Sequence, residues 1–346
     1  MMNSIEMLES TKKIYEHLQD DISRRIYSNR VLYNLTSDDY FLRNVFKEWN
    51  WESQLLSDLK KYNSSICIYG AGDFGNRLIR FYPEISWECY VDEKADEIKE
   101  LNNLKVISIE DYVKKGLPII ISVKKEPNLI KKTLVDYGVP ENKILCLHNY
   151  LNEMNNIYFD LLEPHTYEVF ADVGAYDGKS TYDFFEWCGM SGNSKAFVFE
   201  PNEDMKNAIV RTIQKGKDYK IVQAGAWDRN TRLGFVKSNK ADSSHVVEDE
   251  ETIENGIDVV SLDTYFESEA VLPTYIKMDI EGAEFNALIG AKKIISEHKP
   301  RLAISIYHKQ EDLWVLPNLL LDFCPDYKFY VRHYTMAHAD TVLYAV

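Results

Sequence analysis

The sequence predicts an α/β protein with two doubly wound domains behind a helical N-terminal segment. Three observations carry that expectation. Short apolar runs alternate with helical patterns from Ile66 to about Leu147 and again from Val169 to Val346, as parallel strands with crossover helices require. Each block opens on a glycine-punctuated strand-to-helix turn, ICIYGAGDFGNRL at Ile66–Leu78 and FADVGAYDGKST at Phe170–Thr181. The chain has 346 residues, 45% of them hydrophobic, which is long for one domain and comfortable for two. The expected division is a helical segment over 1–62, a small nucleotide-binding-like domain over 63–150, a connector over 151–168 and a larger domain over 169–346.

The elements follow in order. From Ser4 to about Leu59, Ile5, Leu8, Tyr15, Leu18, Ile22 and Ile26 recur at helical spacing, as one helix face requires. Ser37 or Asp38 can cap a further helix. No chemistry is visible there, and packing or pairing with a second copy of the chain is the expected use. In the small domain, SICIYG, WECYVD, LPIIISV and NKILCL read as strands, and GDFGNRLIRFY and NLIKKTLVDYG as helices. In the larger domain the strands are EVFADVGA, KAFVFEP, YKIVQAGAW, TYIKMDI, RLAISIYH, YKFYVRHY and DTVLYAV. Helices fall at about Ser180–Trp187, Asp204–Gln214, Ala283–Glu297 and Gln310–Phe323. The last two strands leave no room for a helix between them and should pair antiparallel. The polar stretch between Trp227 and Asp258 is too long for a plain connection, so a hairpin or a lid is expected.

Composition narrows the function classes. Net charge is -15, which argues against a nucleic-acid partner. The charge is uneven: residues 1–150 hold 21 Lys and Arg against 23 Asp and Glu, and the remainder 19 against 32. Mean hydropathy is -0.35, no apolar run approaches a membrane span, and the N-terminus lacks the apolar core of a signal peptide. A soluble, cytoplasmic protein is expected. Its five cysteines are scattered without a CxxC pair, so neither a disulfide framework nor a zinc cage is indicated.

The two glycine turns are spelled differently. Gly70, Gly72 and Gly75 form GxGxxG after a strand and before a helix, and Asp92 ends the next strand where a ribose-binding acid would lie. Phosphate could then meet the helix N-terminus. Equally, the glycines could only tighten the turn. The second turn has no such frame: Asp172, Gly174 and Gly178 spell DxGxxxG. An acid there repels phosphate but accepts hydrogen bonds from an ammonium group, and Gly174 removes the Cβ where a ligand would pass. Glu200 ends the next strand and can take two ribose hydroxyls. An amino-acid end, a ribose and no phosphate describe S-adenosylmethionine. Asp228, in AGAWD, is a candidate acceptor for the adenine amino group. Asp177, Gly178, Thr181, Asn202, Ala226, Trp227 and Asp279 complete the expected cofactor site.

With these residues in place, the stretch from Val169 to Val346 resembles the FkbM-type methyltransferases, a branch of the class I S-adenosylmethionine-dependent enzymes. The matching pieces are FADVGAYDGKST, AFVFEPN, VVSLDTYF and YIKMDIEGAEFNALIGA. The resemblance implies a seven-stranded sheet with an antiparallel last strand, and methyl transfer, commonly to a sugar or natural-product hydroxyl. The expected acceptor is therefore a small molecule or glycan. The block from Ile66 to Leu147 resembles the small Rossmann-like domains that precede some sugar-modifying enzymes, which implies contact with a nucleotide or nucleotide sugar.

A hydroxyl acceptor benefits from a base, worth roughly 10²–10⁴-fold. His308, at the end of the fifth strand, is the expected base, with Asp279 orienting its ring. Alternatively Asp279 and Glu281 hold Mg²⁺, which prefers carboxylates and water, as some related sugar methyltransferases use their own acids. Glu281 with Gly282 could instead cap the following helix, and His308 could be a solvated strand-end residue. His333 and His338 are structural or touch the substrate. Two rival classes stand beside this reading: an NAD-dependent oxidoreductase working through the first glycine turn, and a non-catalytic cofactor-binding module. Calorimetry with each cofactor separates the first, and a turnover assay the second.

Overall fold

The computed structural model describes residues 4–47, 49–151, 157–189, 194–213, 216–236, 245–247 and 256–346. The chain forms two compact units, one of residues 32–155 with 335–337, the other of residues 1–31, 156–334 and 338–346. The helical segment expected over 1–62 is thus shared between the two.

The smaller unit is built on β1 (Ile66–Tyr69), β2 (Trp87–Val91), β3 (Glu100–Leu101), β4 (Leu104–Ile107), β5 (Ile119–Ile121) and β6 (Ile144–Cys146), in the order β3-β4-β2-β1-β5-β6. All pairs are parallel except β3 with β4. The apolar runs at Ile66–Tyr69 and Ile119–Ile121 are buried throughout, as strands covered on both faces must be. The order reverses between β1 and β5, where the first glycine turn sits. Asp38 caps the helix Asp39–Phe46 by accepting the Tyr40 N–H at 2.9 Å, one of the two caps expected.

The larger unit has the seven strands read from the sequence: β7 (Glu168–Val173), β8 (Ser194–Phe199), β9 (Asp218–Val222), β14 (Tyr275–Met278), β15 (Arg301–Ser305), β16 (Phe329–His333) and β17 (Thr341–Ala345). Their order is β16-β17-β15-β14-β7-β8-β9. β17 inserts antiparallel between β15 and β16. A second sheet holds β10 (Gly225–Ala226), β11 (Thr231–Val236), β12 (His245–Val247) and β13 (Ile257–Val260). YKIVQAGAW therefore breaks after Val222, and its end joins this second sheet. β11 and β12 form the hairpin expected in the polar stretch; residues 237–244 and 248–255 of that stretch lie outside the described residues. One core layer is aromatic: Phe170 stacks on Phe184 with ring centroids 4.6 Å apart, and Phe159 packs edge-on to Phe170 and Tyr275.

The N-terminal periodicity does not mark one buried face. A first helix ends at His17 and a second starts at Asp21. Between them Leu18 bridges to Phe329 of β16, and the Gln19 N–H donates to the Phe329 carbonyl at 3.0 Å. That break resets the helical phase. Ile14, Leu18 and Ile26 are buried, while Ile5, Leu8, Tyr15 and Ile22 are exposed. Among the described residues, no helix is long and apolar enough to cross a membrane.

Candidate active site

The large sheet reverses its order at the neighbours β7 and β14, and ligands of open α/β sheets bind at such a point. Gly174 follows β7 there with φ +81°, and a Cβ on it would lie 2.0 Å from the Asp279 carbonyl oxygen. The glycine expected to make way for a ligand thus has a packing reason of its own: it lets the β7 turn pass the end of β14. Gly178 has φ +83° and stands immediately before the helix Lys179–Cys188.

Asp172 is fully buried. Its Oδ2 accepts the hydroxyls of Ser180 and Thr181, both at 2.6 Å, and its Oδ1 lies 3.2 Å from Lys277 Nζ. Lys277 is itself buried and donates to the Gly174 carbonyl at 2.6 Å. The ammonium that Asp172 meets is the protein's own. Sequence reasoning missed Lys277, although a lysine inside the apolar run YIKMDI is a signal, since lysine is almost never buried unpaired.

Glu200 follows β8 and is only 7% exposed. Its carboxylate accepts the backbone N–H of Tyr176 at 2.9 Å and of Asn202 at 2.8 Å. Burial raises its pKa above the usual carboxylate value, and these two bonds offset only part of the rise. Asn202 caps the short turn after β8 by accepting the Asp204 N–H. Asp177 accepts the Lys179 N–H at 3.0 Å. Trp227 is buried beside Leu233, Val259 and Ala283, and its indole N–H has no hydrogen-bond partner. Asp228 pairs with the adjacent Arg229 at 2.9 Å.

Asp279 follows β14. Its Oδ1 accepts the Tyr307 hydroxyl at 3.0 Å and its Oδ2 the Tyr158 hydroxyl at 2.9 Å. Burial alone would raise its pKa, but the Lys277 and His308 cations and the Tyr158 hydroxyl outweigh it and hold the carboxyl below its ordinary value. His308 follows β15. Its Nε2 lies 3.4 Å from Asp279 Oδ1 and 3.7 Å from Glu281 Oε2, and its Nδ1 lies 2.9 Å from Glu284 Oε1. Burial would strip the ring of its proton; Glu284, Asp279 and Glu281 prevail and raise its pKa to about 9.

The next helix, Glu284–Ile289, has Ala283 and not Glu281 at its N-cap. Glu284, buried, instead accepts the Ile280 N–H at 2.8 Å. Glu284, Tyr158 and Tyr307 were not expected. Tyr158 comes from the connector, where nothing local marks it. His333 is buried with Nδ1 2.8 Å from Thr341 Oγ1, and His338 is exposed.

Residues 172–331 match the Methyltransferase FkbM domain. This segment is an FkbM methyltransferase domain. No curated protein sequence matches the chain significantly. Among solved structures, a methyltransferase FkbM from Methylobacillus flagellatus KT aligns with TM-score 0.51 and 20% identity over 86% of this chain and 99% of that one. Fibrillarin of Aeropyrum pernix in complex with natively bound S-adenosyl-L-methionine aligns with TM-score 0.34 and 9% identity over 56% of this chain and 76% of that one. The first likeness establishes the fold. The FkbM domain thus brings Gly174, Glu200, Asp279 and His308 to the carboxyl ends of β7, β8, β14 and β15.

In the smaller unit, Gly75 packs its helix against the first glycine turn, where a Cβ would meet the Gly70 carbonyl oxygen at 2.2 Å. Around Gly72 a Cβ would meet open space. Asp92, the candidate ribose acid, spends one oxygen on the Ala71 N–H at 2.8 Å and the other on the Lys94 N–H at 2.9 Å.

Proposed function

We propose that the FkbM domain transfers a methyl group from S-adenosylmethionine to a hydroxyl of a sugar, nucleotide sugar or glycan. The observation that carries this reading is Glu200. Two backbone N–H groups hold its carboxylate at the end of β8 beside the β7 turn, and its remaining lone pairs suit two vicinal hydroxyls. The chemistry of the other donors fits the same cofactor: no basic group among the candidates invites a phosphate, and the indole N–H of Trp227 is buried without a protein partner. Glu200 would hold the ribose, the Gly174–Tyr176 backbone the amino-acid end, and Trp227 with Asp228 the adenine. When bound, the cofactor supplies an activated methyl group on a sulfonium.

The chain's own contribution is orientation, with the acceptor proton leaving toward Asp279 and His308. His308 can take it only as the neutral ring. Mg²⁺ at Asp279 and Glu281 is the second way to activate a hydroxyl at the same place. In the smaller unit, the open backbone at Gly72 supports a nucleotide or nucleotide-sugar contact. Pairing of two copies would use the exposed Ile5, Leu8, Tyr15 and Ile22, and light scattering tests it. For the main reading, calorimetry should register S-adenosylmethionine but not NAD. A screen of nucleotide sugars and glycans by mass should find one gaining a single methyl. A chain blind to the cofactor sinks the proposal.

A further inference from the structure

His308 is enclosed by carboxylates. Asp279, Glu284 and His308 each offer one ligand atom, and these atoms lie within 4.8 Å of one another. One ion takes only one ring nitrogen: Asp279 stands 3.4 Å and Glu281 3.7 Å from Nε2, while Glu284 stands 2.9 Å from Nδ1. Bonds of about 2.0–2.2 Å to one ion put neighbouring ligand atoms about 3 to 3.5 Å apart, so the set, within 4.8 Å as it stands, must draw in around the ion. The independent sign of a missing ligand is Glu284. It is 1% exposed, its Oε1 accepts the Ile280 N–H, and its Oε2 is buried with no hydrogen-bond partner. An unmatched buried carboxylate oxygen is costly, and the same carboxylate already faces the imidazole. Backbone placement is firm, because Asp279 and His308 directly follow or lie close after the paired strands β14 and β15.

We propose that Asp279, Glu284 and His308 bind a divalent first-row transition ion, with Glu281 on its open side. One imidazole nitrogen with carboxylate oxygens suits manganese, iron or zinc better than magnesium, which favours oxygen alone. This ligand set differs from Mg²⁺ on Asp279 and Glu281, and it makes the imidazole a ligand in place of a base. Its catalytic consequence, polarisation of an oxygen acceptor, rests on the proposed methyl transfer. Ion binding itself does not.

The test uses the full chain stripped with EDTA and titrated with Mn²⁺, reading the free-ion signal by electron paramagnetic resonance. One Mn²⁺ per chain is expected, displaced by Zn²⁺ and not by an equal concentration of Mg²⁺. Asp279→Asn and Glu284→Gln should each weaken binding at least about tenfold. Glu284→Gln keeps an oxygen for the Ile280 N–H, and circular dichroism checks that both variants fold. No Mn²⁺ binding, or binding unchanged in the folded variants, overturns the site; displacement by Mg²⁺ as effective as by Zn²⁺ overturns the ion class. Cofactor calorimetry on the same stripped protein tests the methyltransferase reading separately, so either can fail alone.

Discussion

Lys277 donates its ammonium to the carbonyl of Gly174 at 2.6 Å, tying the middle of β14 to the turn that ends β7. The same ammonium faces the buried Asp172 at 3.2 Å. A buried pair of this kind is weak evidence of net stabilisation, but breaking it by removing one partner costs about 3–5 kcal/mol. Lys277→Met should therefore destabilise the larger unit by about that amount in urea unfolding. Adding Asp172→Asn should return part of the loss, because the stranded charge disappears. A double variant that is simply the sum of the two would show that the pair is not coupled.

Gly174→Ala tests which neighbour requires the glycine. The new Cβ would collide with the Asp279 carbonyl at a backbone angle that disfavours side chains. Stability should fall by more than about 1 kcal/mol in the absence of any cofactor. If the variant unfolds like the parent and only loses S-adenosylmethionine, the glycine is there for the ligand.

How much of this was legible follows from what each residue answers to. The seven strands of the large sheet and its antiparallel closure could be read because β-run length and the missing crossover are local properties. The turn residues Asp172, Gly174 and Glu200 were legible for the same reason. Lys277 and Glu284 were visible as charges in apolar surroundings, yet their partners, Asp172 and His308, stand in other elements. Tyr158 had no local mark at all. The N-terminal helical phase misled because a three-residue break at Leu18 to Asp20 is set by pairing with Phe329, a contact more than three hundred residues away in sequence.

Glu200→Ala should weaken S-adenosylmethionine by about 1–3 kcal/mol per lost charged hydrogen bond, read by calorimetry. Glu200→Gln should retain acceptance of at least one of the Tyr176 and Asn202 N–H groups and lose less. Equal, undiminished binding in both folded variants would place the ribose elsewhere.

A chain starting near residue 155 should be less stable than the full chain, although it keeps all seven strands. It lacks Ser23, whose hydroxyl accepts the Val331 N–H at 2.9 Å, and Asp20, which pairs with Arg332 at 2.7 Å. It also exposes the edge of β16 that Gln19 covers, an invitation to aggregation. A second truncation that retains residues 1–31 through a flexible linker should recover the loss. Equal melting temperatures for the short and full chains would show that those contacts contribute nothing.

The last prediction concerns Asp312, at the start of the helix Asp312–Phe323. It is 4% exposed and accepts the Lys309 N–H at 2.7 Å. Burial pushes its carboxyl up to about 7, beyond what that hydrogen bond offsets, and the neighbouring Glu284 adds to the rise. The folded state therefore holds the proton more tightly than the unfolded chain, where an aspartate titrates near ~3.9. Between those values the folded protein binds more protons, so the group's contribution to stability is complete at low pH and is lost as pH rises through about 7. Asp312→Asn keeps an oxygen for the Lys309 N–H and removes the titration. Urea unfolding across pH 4 to 8 should show the parent losing stability relative to the variant as pH rises, with the difference levelling off above pH 8. A parent-minus-variant difference that stays flat over this range would mean that Asp312 is ionised throughout, in which case solvent or a counter-charge reaches a carboxylate that the packing excludes from both.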